Sequence, residues 1–230
     1  MNTGTIVNLP EIVKIKNKYK YRLILDESLS FGTLGSHCGG VTDYYNIPSR
    51  DIEIIAGSLS NSLGAAGGFC AGDKNTNDHQ VLSSQAYCYS ASLPAFLAAG
   101  AIVSLKKLSQ NGQEIALNLS ENIKTFRKEF TPYPPHMELL GSNSSPLLYL
   151  AFNENFEASL DEQNEILKKT VNEMKNEHKV LLAMFKTAEK DEKLKYRPMI
   201  KITISAGYAP EEVAEFAAQL REITNKCVKN

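Results

Sequence analysis

The chain has 230 residues, 43% of them hydrophobic and 22% charged, with 25 basic against 26 acidic side chains and a formal net charge of −1. That length allows a large core, as one α/β domain or as parts of two smaller ones, and the composition excludes a disordered or fibrous protein. The near balance of charge, read as lacking a basic cluster, argues against a nucleic-acid footprint; no window nears the ~20 apolar residues of a membrane span, and the N-terminus lacks the layout of a signal peptide.

Met1 to Ile15 contains Gly4 and Pro10 but no clear start of a domain. Tyr21–Leu25 is a short apolar run closed by Asp26 and Glu27, which reads as a buried parallel strand with carboxylates at its C-terminal end, the end at which open α/β sheets hold ligands. Taken alone, Asp26 and Glu27 are a solvated strand end. His37–Arg50, with Gly39, Gly40 and Pro48, reads as an exposed excursion. Asp51–Gly57 is the next strand, and it delivers a loop of small and hydroxyl residues, Gly57 to Gly72, in which Ser58, Ser60 and Ser62 offer hydroxyls and Gly64, Gly67 and Gly68 let the backbone turn tightly. Composition makes this a Gly/Ser turn between buried strands, since it fits neither the P-loop nor G-x-G-x-x-G. Gly68–Gly72 reads as a further short strand.

His79 falls in a polar loop, and with His37, His136 and His178 scattered there is no zinc-ligand spacing. Cys38, Cys70, Cys88 and Cys227 show no C-x-x-C and read as reduced thiols of a cytosolic environment. Pro94 suits the first turn of a largely buried helix over Ala95–Leu108, with a serine before it as N-cap. Gly112 should break that helix. A second, amphipathic helix over Gln113–Phe130 places Ile115, Leu119, Ile123, Phe126 and Phe130 inward and Lys124, Arg127 and Lys128 outward. The prolines of Thr131–Pro135 end it and suggest a domain boundary, giving domains of 1–130 and 131–230.

The second part reads as a small α+β unit. Pro146–Phe152 is a strand, Ser159 and Glu162 have capping-box spacing ahead of a charged helix to Glu177, and Val180–Met184 is another strand. Met199–Ser205 alternates as a half-exposed strand, and Pro210 opens a terminal helix with Val213, Phe216, Ala217, Leu220 and Ile223 on one face.

Four stretches resemble motifs of the pyridoxal-phosphate α-oxoamine synthases, class II aminotransferase-like proteins. The serine loop resembles G-[ST]-x-[ST]-K-[SA]-x-G-x-x-G-G, with Asn61 at the Schiff-base lysine. Asp26 to Gly32 resembles D-E-A-H-S-x-G, whose aspartate pairs with the cofactor's pyridine nitrogen, with Leu29 at the histidine. Tyr87–Pro94 resembles Y-x-[YF]-[ST]-x-[SA]-L-P, a dimer-interface segment whose hydroxyl reaches the cofactor phosphate of the opposite subunit, the position of Ser90 and Ser92. Met199–Tyr208 resembles R-x-R-x-x-x-[ST]-A-x-H, with Met199 at the carboxylate-clamping arginine and Tyr208 at the histidine.

An amide forms no imine, leucine offers no proton and a thioether no donor, so the resemblance implies no catalytic residue in this chain, with the chemistry of Leu29, Asn61, Met199 and Tyr208 lost from what would be one site. Asp26, Ser58 and Ser60 would be vestigial cofactor contacts. The implied fold is α/β, fold-type I PLP-dependent transferase-like, as the second half of the large domain plus the small C-terminal α+β domain. Asn2–Lys16 resembles a stretch deep inside that large domain, so the chain is expected to begin at an internal methionine, with the membrane anchor and the first half of the cofactor domain preceding that stretch in the family.

The implied role is that of a non-catalytic member, paired with a catalytic subunit that binds pyridoxal 5'-phosphate and condenses L-serine with palmitoyl-CoA to 3-ketosphinganine, the first step of sphingolipid biosynthesis. The resemblance also implies small regulatory membrane subunits and the cytosolic face of the endoplasmic reticulum membrane, reached through segments other than this chain. No nucleic-acid partner and no metal are expected. The alternatives are an active α-oxoamine synthase of another specificity, which the missing lysine disfavours, and a stand-alone interaction module that keeps the fold without the chemistry.

Overall fold

The computed structural model describes residues 3–185 and 197–229, which fall into two compact units, Val7–Leu117 and Met1–Ile6 with Asn118–Asn230. The division between these compact units lies inside one long helix, whose C-terminal part supplies the second unit's core.

The unit of Val7–Leu117 contains α1 (Leu9–Tyr19), β1 (Ile24–Asp26), α2 (Val41–Tyr44), a 3-10 turn at Ser49–Asp51, β2 (Ile54–Ser58), β3 (Gly68–Gly72), α3 (Lys74–Ser83), α4 (Gln85–Tyr89) and the start of α5 (Ala95–Glu129). The sheet runs β1-β2-β3: β1 pairs parallel with β2, Ile24 opposite Ile54, and β2 pairs antiparallel with β3, Ala56 opposite Cys70. Parallel pairing brings Asp26 and Ser58 to the same end of the sheet, so the loops that follow them are neighbours.

Several expectations change here. The stretch before β1 is helical from Leu9, with Pro10 in the first turn, where its missing amide leaves no bond unmade. β1 is short, and of its three residues only Leu25 is buried. The excursion at His37–Arg50 is not exposed throughout: Cys38, Val41 and Thr42 are buried, because α2 is pinned to Glu27. His79 lies in α3, which forms although none of its residues is buried; its N-cap Asp73 accepts the Thr76 amide at 3.0 Å.

α5 runs unbroken through Gly112. A Cβ at that position would lie 2.5 Å from the His37 carbonyl oxygen, so glycine serves close approach of the His37 loop instead of a helix break. Of the predicted buried helix Ala95–Leu108 only Ala101 is buried, while Phe96 is 75% exposed. Pro94 precedes the helix, and its carbonyl accepts the amides of Leu97 and Ala98, so neither Ser90 nor Ser92 caps it.

The second unit holds β4 (Met137–Leu140), β5 (Leu147–Phe152), α6 (Leu160–His178), β6 (Ala183–Met184), β7 (Met199–Thr203) and α7 (Pro210–Lys229). Its sheet is antiparallel throughout, in the order β4-β5-β7-β6. Leu148 faces Ile202 and Leu150 faces Ile200 in register, and this apolar side meets Leu119, Ile123 and Phe126 of α5 with Phe130 just after it, Leu167 and Met174 of α6, and Val213, Ala217 and Leu220 of α7. Burying each such side chain contributes roughly 1.5–3 kcal/mol.

β7 is therefore an interior strand with Met199, Ile200 and Ile202 buried, not a half-exposed one. Arg127 does not simply point outward: Nη2 donates to the Gly141 and Ser142 carbonyls, both at 3.0 Å. The capping box at α6 is complete, Ser159 N donating to Glu162 Oε2 at 2.8 Å and Glu162 N to Ser159 Oγ at 3.2 Å.

Candidate functional site

The ends of β1 and β2 carry two loops that are bonded to one another. After β1, the Ser28 amide donates to Asp26 Oδ1 at 2.8 Å, and hydrogen bonds from the Ser28 hydroxyl and then its amide hold the Asp26 carboxyl below its ordinary range. Asp26 is exposed. Glu27, by contrast, is 1% exposed and is not a solvated strand end. Its carboxylate accepts the Val41 amide at 2.9 and 3.1 Å, the Thr42 amide at 3.4 Å and the Ser30 hydroxyl. Gly40, at φ 101°, makes room for it, since a Cβ there would sit 2.5 Å from Glu27 Oε2.

The serine loop is anchored from below by Leu59 and Leu63, buried with Ala101, and by the Ser104 hydroxyl on the Leu63 carbonyl at 2.8 Å. On its upper side Asn61 Nδ2 donates to the Ser28 carbonyl at 2.6 Å, and the Ser62 hydroxyl to the Phe31 carbonyl at 2.7 Å. Ser58 and Ser60 share a hydroxyl–hydroxyl bond of 2.7 Å, and the Ser60 amide donates to Ser58 Oγ. Asp26, Ser28, Asn61, Ser58 and Ser60 thus come together at one end of this sheet. Leu29 lies on the same loop, 44% exposed.

These residues do not fit a covalently held pyridoxal group. Imine formation needs a primary amine, and the loop from Gly57 to Gly72 contains no lysine. The amide of Asn61 is non-basic and is engaged with Ser28.

The other expected positions are placed separately. Ser90 ends α4 and its hydroxyl donates to the Ala86 carbonyl, while Ser92 is exposed and makes no hydrogen bond among the described residues. In the second unit, Met199 is 3% exposed and packs with Tyr149 and Ala151 on the side of the sheet opposite the helices. Tyr208 is 58% exposed on the loop before α7, where the buried Asn122 donates Nδ2 to the carbonyls of Ser205 and Tyr208 at 2.9 Å each. Tyr208 also lines a groove of about 590 Å³ with Lys201, Ile204, Glu212 and Phe216.

Among the described residues no group of three or more His, Cys, Asp or Glu could hold a metal ion, and no helix is long and apolar enough to cross a membrane. Two features escaped the sequence reading. The carboxylate of Glu27 was hidden because its partners lie fourteen and fifteen residues away. A basic cluster does exist: Lys14, Lys16, Lys18, Lys20 and Arg22 alternate with uncharged residues through α1 and the turn after it, a pattern visible in the sequence but diluted in the whole-chain balance.

A profile described as aminotransferase class I and II matches residues 2–220. The chain belongs to that family. Within it, the chain is similar to long chain base biosynthesis protein 1c of Oryza sativa subsp. japonica, 34% identical over 99% of this chain and 46% of the relative. It is likewise similar to serine palmitoyltransferase 1 of Dictyostelium discoideum, 33% identical over 98% and 47%. The chain spans about half the length of the curated relatives it matches.

Among solved structures it superposes on a serine palmitoyltransferase variant from S. paucimobilis, described with a bound PLP–myriocin aldimine, at a TM-score of 0.82 and 18% identity over 99% of this chain and 53% of that one. That likeness gives the fold, the fold-type I arrangement of pyridoxal-phosphate enzymes.

Proposed function

We propose that this chain is part of a non-catalytic subunit of serine palmitoyltransferase, supporting the condensation of L-serine with palmitoyl-CoA to 3-ketosphinganine, with release of CO2 and CoA, at the start of sphingolipid biosynthesis. Asn61 carries the reading: at the place the resemblance gives to the imine-forming lysine, the side chain is an amide tied to Ser28. The names of the relatives from Oryza and Dictyostelium support the pathway.

On this reading pyridoxal 5'-phosphate belongs to a catalytic partner subunit, serine palmitoyltransferase subunit 2, in a heterodimer. Asp26, Ser58 and Ser60 are remnants of a cofactor site, Leu29, Asn61, Met199 and Tyr208 mark lost chemistry, and Ser90 or Ser92 reaches the partner's cofactor phosphate. Residues 1–130 belong to the large domain and 131–230 to the small one. The complex sits at the cytosolic face of the endoplasmic reticulum membrane, with small regulatory membrane subunits.

Co-expression with a lysine-bearing catalytic subunit tests this. Borohydride reduction with pyridoxal phosphate, followed by peptide mass mapping, should place the pyridoxyl adduct on the partner. An adduct on a unique lysine of this chain, or failure to co-purify with the partner, would overturn the reading.

A further inference from the structure

We propose that α1 and the turn after it form a docking surface for the anionic headgroups of a lipid bilayer. The inference stands on Leu9–Arg22 and is independent of the catalytic reading.

α1 buries only Leu9 completely, and Ile15, Tyr19 and Tyr21 are 50%, 54% and 60% exposed. Lys20 ends the helix at φ 58°, a position where glycine is the usual residue, and the amides of Lys20 and Tyr21 both return to the Lys16 carbonyl. That reversal lays Tyr21 beside Tyr19, with ring centroids 5.8 Å apart and planes 21° from parallel. The Lys18 ammonium lies 5.0 Å from the Tyr19 ring centre.

The cations divide into two groups. Lys14 is paired with Glu11 at 2.6 Å and Lys16 with Glu53 at 2.7 Å, so both are committed within the chain. Lys18, Lys20 and Arg22 are exposed and make no ion pair among the described residues, although Asp73 lies within electrostatic reach of Arg22. Three cations without an ion pair among the described residues thus surround a platform of one isoleucine and two stacked tyrosines.

An acidic peptide would use the charges alone, and nucleic-acid bases would stack on the tyrosines but leave the exposed isoleucine without a partner. The tyrosines and the isoleucine add an amphipathic platform suited to the boundary between headgroups and acyl chains, with lysine stems long enough to lie along it. Basic side chains at an anionic membrane surface each strengthen binding about fivefold.

The whole 230-residue chain, sedimented with phosphatidylcholine vesicles containing phosphatidylserine, should bind them in preference to pure phosphatidylcholine and should release as salt is raised. Lys18→Gln, Lys20→Gln and Arg22→Gln together should weaken binding on the order of a hundredfold with an unchanged urea midpoint. The chain has no tryptophan, so Tyr19→Trp gives a single reporter whose emission should shift to the blue on the anionic vesicles, a readout that does not depend on the triple variant folding. Equal binding to neutral vesicles, an unshifted reporter, or soluble polyglutamate binding as tightly as the anionic vesicles would overturn the proposal.

Discussion

Replacing Glu27 by glutamine tests whether this one carboxylate organises the end of β1. In the native chain it receives the Val41 and Thr42 amides and the Ser30 hydroxyl while 1% exposed. Glutamine keeps one acceptor oxygen and turns its NH2 toward backbone donors, so at least one amide is left facing another donor in a buried place. Bonds to charged groups contribute about 1.5–3 kcal/mol against 0.5–1.5 for neutral ones, and an orphaned buried donor costs about 1–3 kcal/mol, so the expected loss is about 2–4 kcal/mol. With a urea slope of roughly 1–3 kcal/mol per molar, the midpoint should fall by about 1–2 M. Amide exchange should speed up first at Val41 and Thr42, and protection in α6 should persist until global unfolding. A loss below about 0.5 kcal/mol, the range of ordinary surface substitutions, would refute the argument that Glu27 pins α2.

On the proposed reading, in which Leu29 and Met199 would offer no partner for cofactor or substrate, Asn61→Lys should not by itself restore turnover in a complex whose catalytic subunit is inactive; measurable ketone product would contradict this. Asp43 is pushed up by burial but pulled below its ordinary 3.8 by the amides of His37 and Gly39 and the Ser36 hydroxyl. A depressed folded value stabilises the fold above the ordinary value, and that contribution fades as pH falls through the folded one; Asp43→Asn should therefore flatten the acid limb of urea midpoints below about pH 4, and an unchanged limb would count against it. In the assembled complex, Ser92→Ala should weaken retention of pyridoxal phosphate about tenfold and Ser90→Ala less, since the Ser90 hydroxyl already donates to Ala86 and a phosphate accepts but cannot donate. Equal affinities for wild type and Ser92→Ala in a cofactor titration would reduce this segment to a scaffold.

Much of the second unit was legible because its signals are local or periodic. Ser159 and Glu162 sit three residues apart and cap one helix end, and Leu119, Ile123, Phe126 and Phe130 recur at the period of a helix that meets one apolar sheet face. The first unit was harder, because its order comes from pairs distant in sequence. α3 carries no apolar period, since no side of it is buried, and its only marker was the Asp73–Thr76 cap. Gly112 looked like a breaker because a single sequence cannot show the His37 loop that needs the space.

The candidate site shows the same division between residue identity and residue pairing. Motif spacing marks Asn61, Ser58, Ser60 and Ser90 as positions of interest, but it is silent on which polar atoms are already committed inside the chain. Asn61 Nδ2 is bonded to Ser28, the hydroxyls of Ser58 and Ser60 to each other, and Ser90 to Ala86, which leaves Ser92 as the serine of that segment whose hydroxyl has nothing to release before it meets a phosphate, beside the exposed phenols of Tyr87 and Tyr89. A bond between two hydroxyls uses one O–H and leaves the other to donate, so the Ser58–Ser60 pair keeps one donor, and a shared site with a partner would draw on the loop after β2 as well as on the segment before α5.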